Sequence, residues 1–246
     1  MSDHDATAMT EASLTDLQLI DIDIDALFTH DTRGRIVRVN EPDGEPAPRF
    51  VFGRTRVGNV WRVRHDVPQH IAQRLEALAA AEPVGADLHS PPVRFDAMHD
   101  ALGVAYSPAN EYELVYRFPV ELPASAGAIR ITPENVSLLQ RMVGDVADAR
   151  EGLDHGVIWT AMVADGAAVS HCYSCRLTDR AAEAGVETLE AYRGRGYAPA
   201  VVAAWARAVR ETGRIPFYST SWDNTASQAV AGKLGLVQYA MSIGLE

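Results

Sequence analysis

The chain has 246 residues, of which 47% are hydrophobic and 22% charged, a composition typical of a folded protein with one large core or two small ones. No run reaches the roughly 20 apolar residues of a membrane helix, and the N-terminus lacks the basic and apolar segments of a signal peptide, so we expect a cytoplasmic protein. The net charge of −11 argues against nucleic-acid binding. It is compatible with a cationic amine ligand, and alternatively it serves only to keep the protein soluble.

The first half of the chain predicts a disordered acidic tail followed by an α/β segment. Residues 1–12 are small and polar without periodicity. A short helix is expected from Leu14, then strands over 26–29, 36–40, 49–52, 59–64 and 113–120, with a proline-rich loop over 41–48. Apolar spacing predicts a helix over 69–81, capped by Asp66. A small-residue stretch near residue 125 then predicts the end of an N-terminal domain, residues 13–125, of unknown role.

The second half predicts a domain of alternating helices and strands over residues 126–246. Thr132 and Pro133 are typical of a helix start, with a buried stripe from Val136 to Val146. Asp165-Gly166 predicts a hairpin between strands 157–164 and 167–177. A strand over 185–189, a glycine-rich loop, a helix over 199–212, a strand over 216–221, a helix over 225–234 and a strand over 237–243 follow. This order indicates an α/β (α+β) fold.

The chain has two cysteines, Cys172 and Cys175, inside a predicted strand. Residues three apart on a strand point to opposite faces, so a disulfide between them is not expected. No second pair completes a zinc site, and the adjoining His171 faces away from Cys172. We therefore interpret both as reduced structural thiols and expect no metal.

The run Arg193-Gly194-Arg195-Gly196-Tyr197-Ala198 joins a predicted strand to a predicted helix. Helix N-terminal amides and the positive end of the helix dipole converge there, and glycines let an anion approach the backbone closely. The pattern therefore favours a phosphate-binding loop. Its arginines alternatively serve only as solvated loop cations.

Residues 186–198 resemble the central motif of the GNAT superfamily of N-acetyltransferases. That motif has Arg or Gln, two residues, Gly, one residue, then Gly or Ala, which Arg193, Gly196 and Ala198 satisfy. The downstream order of a helix, the strand at 217–221, and a helix ending in Lys233-Leu234-Gly235-Leu236 also agrees. The resemblance covers residues 130–246, about half of the chain.

The resemblance implies a mixed, mostly antiparallel sheet flanked by helices and splayed open between strands 185–189 and 216–221, with acetyl-CoA in the gap. The pyrophosphate would rest on the loop amides, and the strand before the loop would pair with the acetyl and pantetheine portion through its backbone. Asn224 and Ser227 would touch the pantetheine arm, although both have an alternative role in starting the next helix. The implied cofactor-binding residues are Val186, Glu187, Thr188, Arg193, Gly194, Arg195, Gly196, Tyr197, Ala198, Asn224 and Ser227.

The implied reaction is direct attack of a primary amine on the acetyl thioester. The ammonium must lose a proton and the leaving thiolate must gain one. Many family members place a Tyr two residues before the Lys of the Lys-Leu-Gly segment to serve the thiolate, but Ala231 stands there. Our catalytic candidates are Glu187 as base, His171 as a second base and Tyr218 as the substitute acid. Each has an ordinary structural alternative, as an exposed strand carboxylate, a buried histidine or a core aromatic.

Three functional classes stay open at this stage. The chain is an acetyltransferase for a small-molecule or peptide amine, a module that binds acyl-CoA without turnover, or an interaction protein that retains only the fold. The N-terminal domain either covers the acceptor side of the cleft or is a degenerate second GNAT-like lobe. We expect acetyl-CoA and an amine as partners, no nucleic acid and no membrane, and a homodimer is left open.

Overall fold

A nine-stranded mixed sheet forms the centre of this computed structural model, which describes residues 11–41, 44–103 and 112–246. In chain order the strands are β1 (Phe28–His30), β2 (Ile36–Val39), β3 (Phe50–Thr55), β4 (Asn59–Val63), β5 (Tyr112–Arg117), β6 (Ala128–Arg130), β7 (Trp159–Ala164), β8 (Ala167–Leu177), β9 (Ala181–Thr188), β10 (Ile215–Ser221) and β11 (Val237–Leu245). The helices are α1 (Asp16–Leu27), α2 (Gln69–Ala80), α3 (Phe95–Leu102), α4 (Gln140–Val143), α5 (Ala147–Asp154), α6 (Tyr197–Glu211) and α7 (Thr225–Leu234).

The strand order of the large sheet is β4-β3-β11-β5-β10-β9-β8-β7-β6, and β1 and β2 form a separate pair. Within the large sheet β9 and β10 pair in parallel, and the other neighbouring strands pair antiparallel. The prediction of a mixed, mostly antiparallel sheet flanked by helices is therefore confirmed.

Alternation along the strands divides the core into two layers. On one face, α6 and α7 pack over the C-terminal strands around Trp205 and Val202, while α2 and α3 pack over β3 and β11 around Phe50 and Phe52. On the other face, α1 packs over β3 and β9 through Ile20 and its neighbours. The sheet is thus covered on both sides, and the candidate cofactor strand β9 lies in its middle.

The strand pairing crosses the predicted domain boundary near residue 125. Strand β5, which precedes that boundary, lies between β10 and β11, and β11 also pairs with β3. Backbone hydrogen bonds therefore join both halves of the chain in one sheet. The division into domains of residues 13–125 and 126–246 stays a prediction.

Several elements of the C-terminal half were predicted with the correct type of secondary structure, but some have a different residue range in the structure. The hairpin at Asp165-Gly166 is confirmed, with φ of 53° and 74° at its two turn residues. The helix predicted from Thr132 to Val146 is wrong as a single element, because the chain turns at Gly144 with φ of 77° between α4 and α5. Strand β9 begins four residues earlier than the predicted strand at 185–189.

Other predictions for residues 1–130 are corrected by the structure or fall outside the residues that it describes. Residues 1–10 of the predicted tail, and Pro42 and Asp43 of the predicted loop, lie outside the described residues. Glu11, also assigned to that tail, instead lies in a short 3-10 helix and pairs with Arg210 at 2.8 Å. Asp66 does not cap α2, since its carboxylate pairs with Arg64. Helix α3 and strand β6 were not predicted, because short amphipathic runs carry little periodic signal.

Candidate active site

The large sheet splits between β9 and β10. Their parallel pairing consists of Ile215 opposite Ala181, Pro216 opposite Ala182, and Phe217 opposite Glu183. Beyond Glu183, β9 continues to Thr188 and β10 continues to Ser221 without further pairs between them. The backbone of β9 from 184 onward therefore has an unpaired side, which an extended ligand could use as a neighbouring strand uses it.

The open end of the split leads directly into the glycine-rich loop. Gly194 and Gly196 have φ of 77° and 80°, the left-handed region that favours glycine, and an added Cβ at either position would meet no atom within 4 Å. Gly196 immediately precedes α6 and has no side chain to cap it. The first amides of α6 thus have no side-chain cap at Gly196, which suits a helix start that binds phosphate.

A cleft of about 510 Å³ connects the split with this loop. The predicted acid Tyr218 lines this cleft. So do ten of the eleven predicted cofactor-binding residues, namely Val186, Glu187, Thr188, Arg193, Gly194, Gly196, Tyr197, Ala198, Asn224 and Ser227. The structure adds Tyr192, Pro199, Ala226, Ala229, Val230 and Lys233. Lys233 is the sole lysine of the chain. Its position next to the Leu-Gly pair of the motif is the sequence signal that could have predicted it as a site residue.

Arg195 is the predicted cofactor residue that does not line the cleft. Its guanidinium lies 5.1 Å from the centre of the Tyr192 ring and donates a hydrogen bond to the Ala191 carbonyl. The Tyr192 hydroxyl in turn donates to Asp165 at 2.7 Å. These contacts of Arg195 stabilise the loop. By contrast, Arg193 and Lys233 line the cleft.

Tyr218 brings a hydroxyl group into the cleft from β10. Its side chain is buried, and its hydroxyl lies 2.7 Å from the Ser227 Oγ on α7. Burial raises the pKa of Tyr218 to about 12, so the phenol keeps its proton at neutral pH. Asn224 caps α7 by accepting a hydrogen bond from the Ser227 amide, which holds both residues at the edge of the cleft.

Glu187 and His171 face each other across β9 and β8. The His171 Nε2 lies 3.6 Å from the Glu187 carboxylate, whose side chain is 62% exposed. The buried His171 accepts a hydrogen bond at Nδ1 from the Trp159 indole, and burial lowers the pKa of its ring. A neutral His171 therefore carries its proton on Nε2, toward Glu187. Glu187 lines the cleft, and His171 lies behind it.

A carboxyl group that the sequence reasoning missed lies at the closed end of the split. Glu183 is 2% exposed, and its Oε1 accepts hydrogen bonds from the Ser219 amide at 2.7 Å and the Ser219 hydroxyl at 3.0 Å. Burial raises the pKa of Glu183 to about 7, despite the bonds from Ser219. No sequence pattern marks Glu183, since only the pairing of β9 with β10 brings Ser219 to its carboxylate.

Three further observations concern the rest of the described chain. A larger depression of about 1040 Å³ lies between α1, β4 and α2, but its Arg62 is paired with Asp21 and Asp25. Within residues 11–41, 44–103 and 112–246, no group of three or more His, Cys, Asp or Glu side chains has metal-binding geometry. In the same ranges, no helix combines the length and the apolar character needed to cross a membrane.

The fold and the cleft agree with the comparison against protein families. Residues 137–240 match the family model described as GNAT acetyltransferase. The match lies within the C-terminal half of the chain, and no family model matches the N-terminal half.

Several solved structures are similar to this chain at low sequence identity. A GNAT-family acetyltransferase from Colwellia psychrerythraea has 12% identity and a TM-score of 0.49, over 76% of this chain and 76% of that one. A GCN5-related N-acetyltransferase-like protein from Streptococcus suis has 18% identity and a TM-score of 0.46, over 80% and 84%. An aminoglycoside N-acetyltransferase in complex with CoA has 23% identity and a TM-score of 0.39, over 46% and 92%. No curated protein matches the chain.

Proposed function

We propose that the protein is an N-acetyltransferase that moves the acetyl group of acetyl-CoA to a primary amine of a small molecule or peptide by direct attack. The observation that carries the proposal is the split between β9 and β10, which opens directly onto the loop before α6. The two features place an unpaired strand edge and a set of helix amides along one continuous cleft. An extended arm ending in a pyrophosphate needs this combination.

Different residues of the cleft would contact different parts of acetyl-CoA. The amides around Gly194 and Gly196 would hold the pyrophosphate, with Arg193 and Lys233 supplying positive charge. The backbone of 186–188 would pair with the pantetheine arm, which runs inward along β9. The thioester would then lie toward the closed end of the split, near Glu183 and Tyr218.

The proton transfers follow from this placement. Tyr218, whose pKa is raised to about 12, would give a proton to the leaving thiolate through its position beside Ser227. Tyr218 would thereby replace the tyrosine that the family motif places where this chain has the buried Ala231. For the base, Glu187 stays a candidate because it lines the cleft, and Glu183 is a second one because of its buried position at the closed end.

The first experiment separates turnover from binding. Acetyl-CoA affinity is measured by calorimetry, and thiol release from acetyl-CoA is followed with and without a panel of primary amines such as spermidine, phenethylamine and glycinamide. Amine-dependent thiol release, with the acetylated amine detected by mass spectrometry, is the expected result. Tight binding without release for any amine would favour a non-catalytic acyl-CoA-binding module. Absence of binding would reject both.

A further inference from the structure

A cluster of three aromatic rings adjoins one carboxylate of the cleft. Trp159 on β7 and His171 on β8 are buried, with 7% and 3% of their surface exposed. The Trp159 ring stacks on the Tyr173 ring at 4.7 Å, and the His171 ring lies 5.5 Å from that of Trp159. Glu187 on β9 is the cross-strand partner of His171, and it lines the cleft. His171 therefore lies between buried aromatic rings and a cleft carboxylate.

The hydrogen bond from Trp159 determines which nitrogen of His171 carries the proton. The indole Nε1 lies 3.0 Å from the His171 Nδ1. An indole N–H only donates, so Nδ1 has to accept, and the single proton of the neutral ring is on Nε2. A protonated ring would carry an N–H at Nδ1 as well, facing the indole N–H with no acceptor between the two. The bond therefore disfavours both the other tautomer and the imidazolium.

This arrangement leaves His171 without a free basic nitrogen, because Nδ1 is occupied and Nε2 is protonated. Among the described residues, Glu187 from β9 is the charged group that acts on the ring, and Tyr173 on β8 is the other titratable one beside it. Burial lowers the pKa of His171, in agreement with a neutral ring. The other buried members of the cluster around Trp159 are apolar, namely Ile131, Val136, Leu139, Ala149, Ala161 and Ala168.

The protonated Nε2 of His171 faces the Glu187 carboxylate at 3.6 Å. This distance exceeds that of an ordinary N–H···O hydrogen bond by about 0.6 Å. The Glu187 side chain is 62% exposed and has the freedom to close that gap, and hydrogen bonds of catalytic groups commonly shorten when substrate binds. An exposed carboxylate otherwise samples several rotamers. A donor fixed in the core selects among them and so orients the carboxylate in the cleft.

Resting on the proposed acetyl transfer, with Glu187 as its base, we propose that Trp159 and His171 form a fixed chain of hydrogen-bond donors that positions the Glu187 carboxylate for the amine. His171 acts through Glu187 and is a positioning residue, not the second base expected from the sequence. The proton that the substrate ammonium releases goes to the Glu187 carboxylate, directly or through one water, and then to solvent. His171 keeps its own proton on Nε2 throughout.

The first test locates the proton on His171 without requiring activity. Nitrogen-15 NMR of the labelled protein distinguishes the two tautomers and the imidazolium of each of the eight histidines, and comparison with His171→Gln assigns the signals of His171. We expect the Nε2–H tautomer throughout the range from about pH 6 to 8. Glu187→Gln should shift the Nε2 signal, because it removes the charge that faces this nitrogen.

Trp159→Phe keeps a ring in the cluster and removes the indole donor. In this variant His171 should titrate about one pH unit higher than in the wild type, because its neutral form has lost a hydrogen bond. Trp205→Phe is the matched control. Trp205 is also a buried tryptophan, but its indole donates to the Ser174 hydroxyl at 3.1 Å. Trp205→Phe should leave the signals of His171 and their titration unchanged.

The second test separates positioning from base catalysis by kinetics. His171→Gln supplies an amide N–H near the place of Nε2 and does not titrate, whereas His171→Leu has no donor. We expect Gln to keep kcat within about threefold, with the acid limb of the pH profile retained, since Glu187 and not the imidazole titrates. Leu should lower kcat by about tenfold at unchanged acetyl-CoA affinity, as the loss of one hydrogen bond to a charged group predicts.

A double variant keeps this test decisive if His171→Leu does not fold because the Trp159 indole is left unpaired. Trp159→Phe with His171→Leu removes both hydrogen-bonding partners, which costs less stability than removing one. The double variant should show the same tenfold loss of kcat, about the effect of one hydrogen bond to a charged group.

Three results would overturn the proposal: a proton on Nδ1 of His171 in the wild type, loss of the acid limb or of most of kcat in His171→Gln, or an unchanged kcat without a donor at position 171. Failure of the proposed function is recognised separately. Acetyl-CoA binding without turnover of any amine rejects the reaction, and the spectra then decide alone whether Trp159 and His171 hold the Glu187 carboxylate.

Discussion

Replacing Gly196 by aspartate gives the sharpest test of the phosphate-binding loop. The new carboxylate would stand where the pyrophosphate is expected, beside the first amides of α6. Two unit charges 4 Å apart repel by about 4 kcal/mol at an effective dielectric constant of about 20, and partial exposure reduces that to about 2–3 kcal/mol. Because 1.4 kcal/mol is a tenfold change, we expect acetyl-CoA affinity to fall by about 100-fold.

Gly213→Asp is the matched control for the backbone strain that Gly196→Asp introduces. Gly196 and Gly213 have the same φ of 80°, and an added Cβ meets no atom within 4 Å at either position. Both variants therefore carry a similar left-handed strain of about 1–2 kcal/mol in stability, whereas Gly213 does not line the cleft. Calorimetry of both variants at one salt concentration makes the comparison. Equal affinities for acetyl-CoA in the two variants would refute the placement of the pyrophosphate.

Four further variants test other parts of the site and fold. Glu187→Gln should lower kcat by about 100-fold with acetyl-CoA affinity nearly intact if Glu187 is the base, and unchanged turnover with an unchanged pH profile would exclude it. Tyr218→Phe should lower kcat by about 100-fold at unchanged affinity, and a retained kcat would assign the thiolate proton to another donor. Cys172→Ala with Cys175→Ala should stay active, because burial raises the pKa of both thiols, that of Cys175 to about 12, and the acetyl group passes directly; a trapped acetyl-cysteine would contradict this. Arg210→Ala should lower the free energy of unfolding by about 2 kcal/mol in urea titrations, since it loses its pair with Glu11 and its bonds to the carbonyls of 118–120, and a loss below about 0.5 kcal/mol would show that these bonds are not stabilising.

The cofactor side of the cleft could be predicted because its signals are local. A strand, two glycines with open left-handed backbone and a helix start follow one another within residues 186–198, and local sequence determines each of them. Ten of the eleven residues chosen on this basis line one cleft. Arg195 is the exception, because its guanidinium lies over the Tyr192 ring and hydrogen-bonds the Ala191 carbonyl, and these contacts depend on how the loop folds.

The sequence by itself determined the order of elements in the C-terminal half, the Asp165-Gly166 hairpin and the glycine-rich loop, since each depends on neighbours along the chain. Only the tertiary structure decided which strands are neighbours. The pairing of β10 with both β5 and β9 places Ser221 opposite Glu113 and brings Ser219 to the Glu183 carboxylate, an approach that no periodicity encodes. The sequence alone likewise does not determine the ionisation of the Glu183 and Asp23 carboxyl groups. Their pKa values depend on burial and on mutual repulsion, both of which exist only after the sheet has assembled.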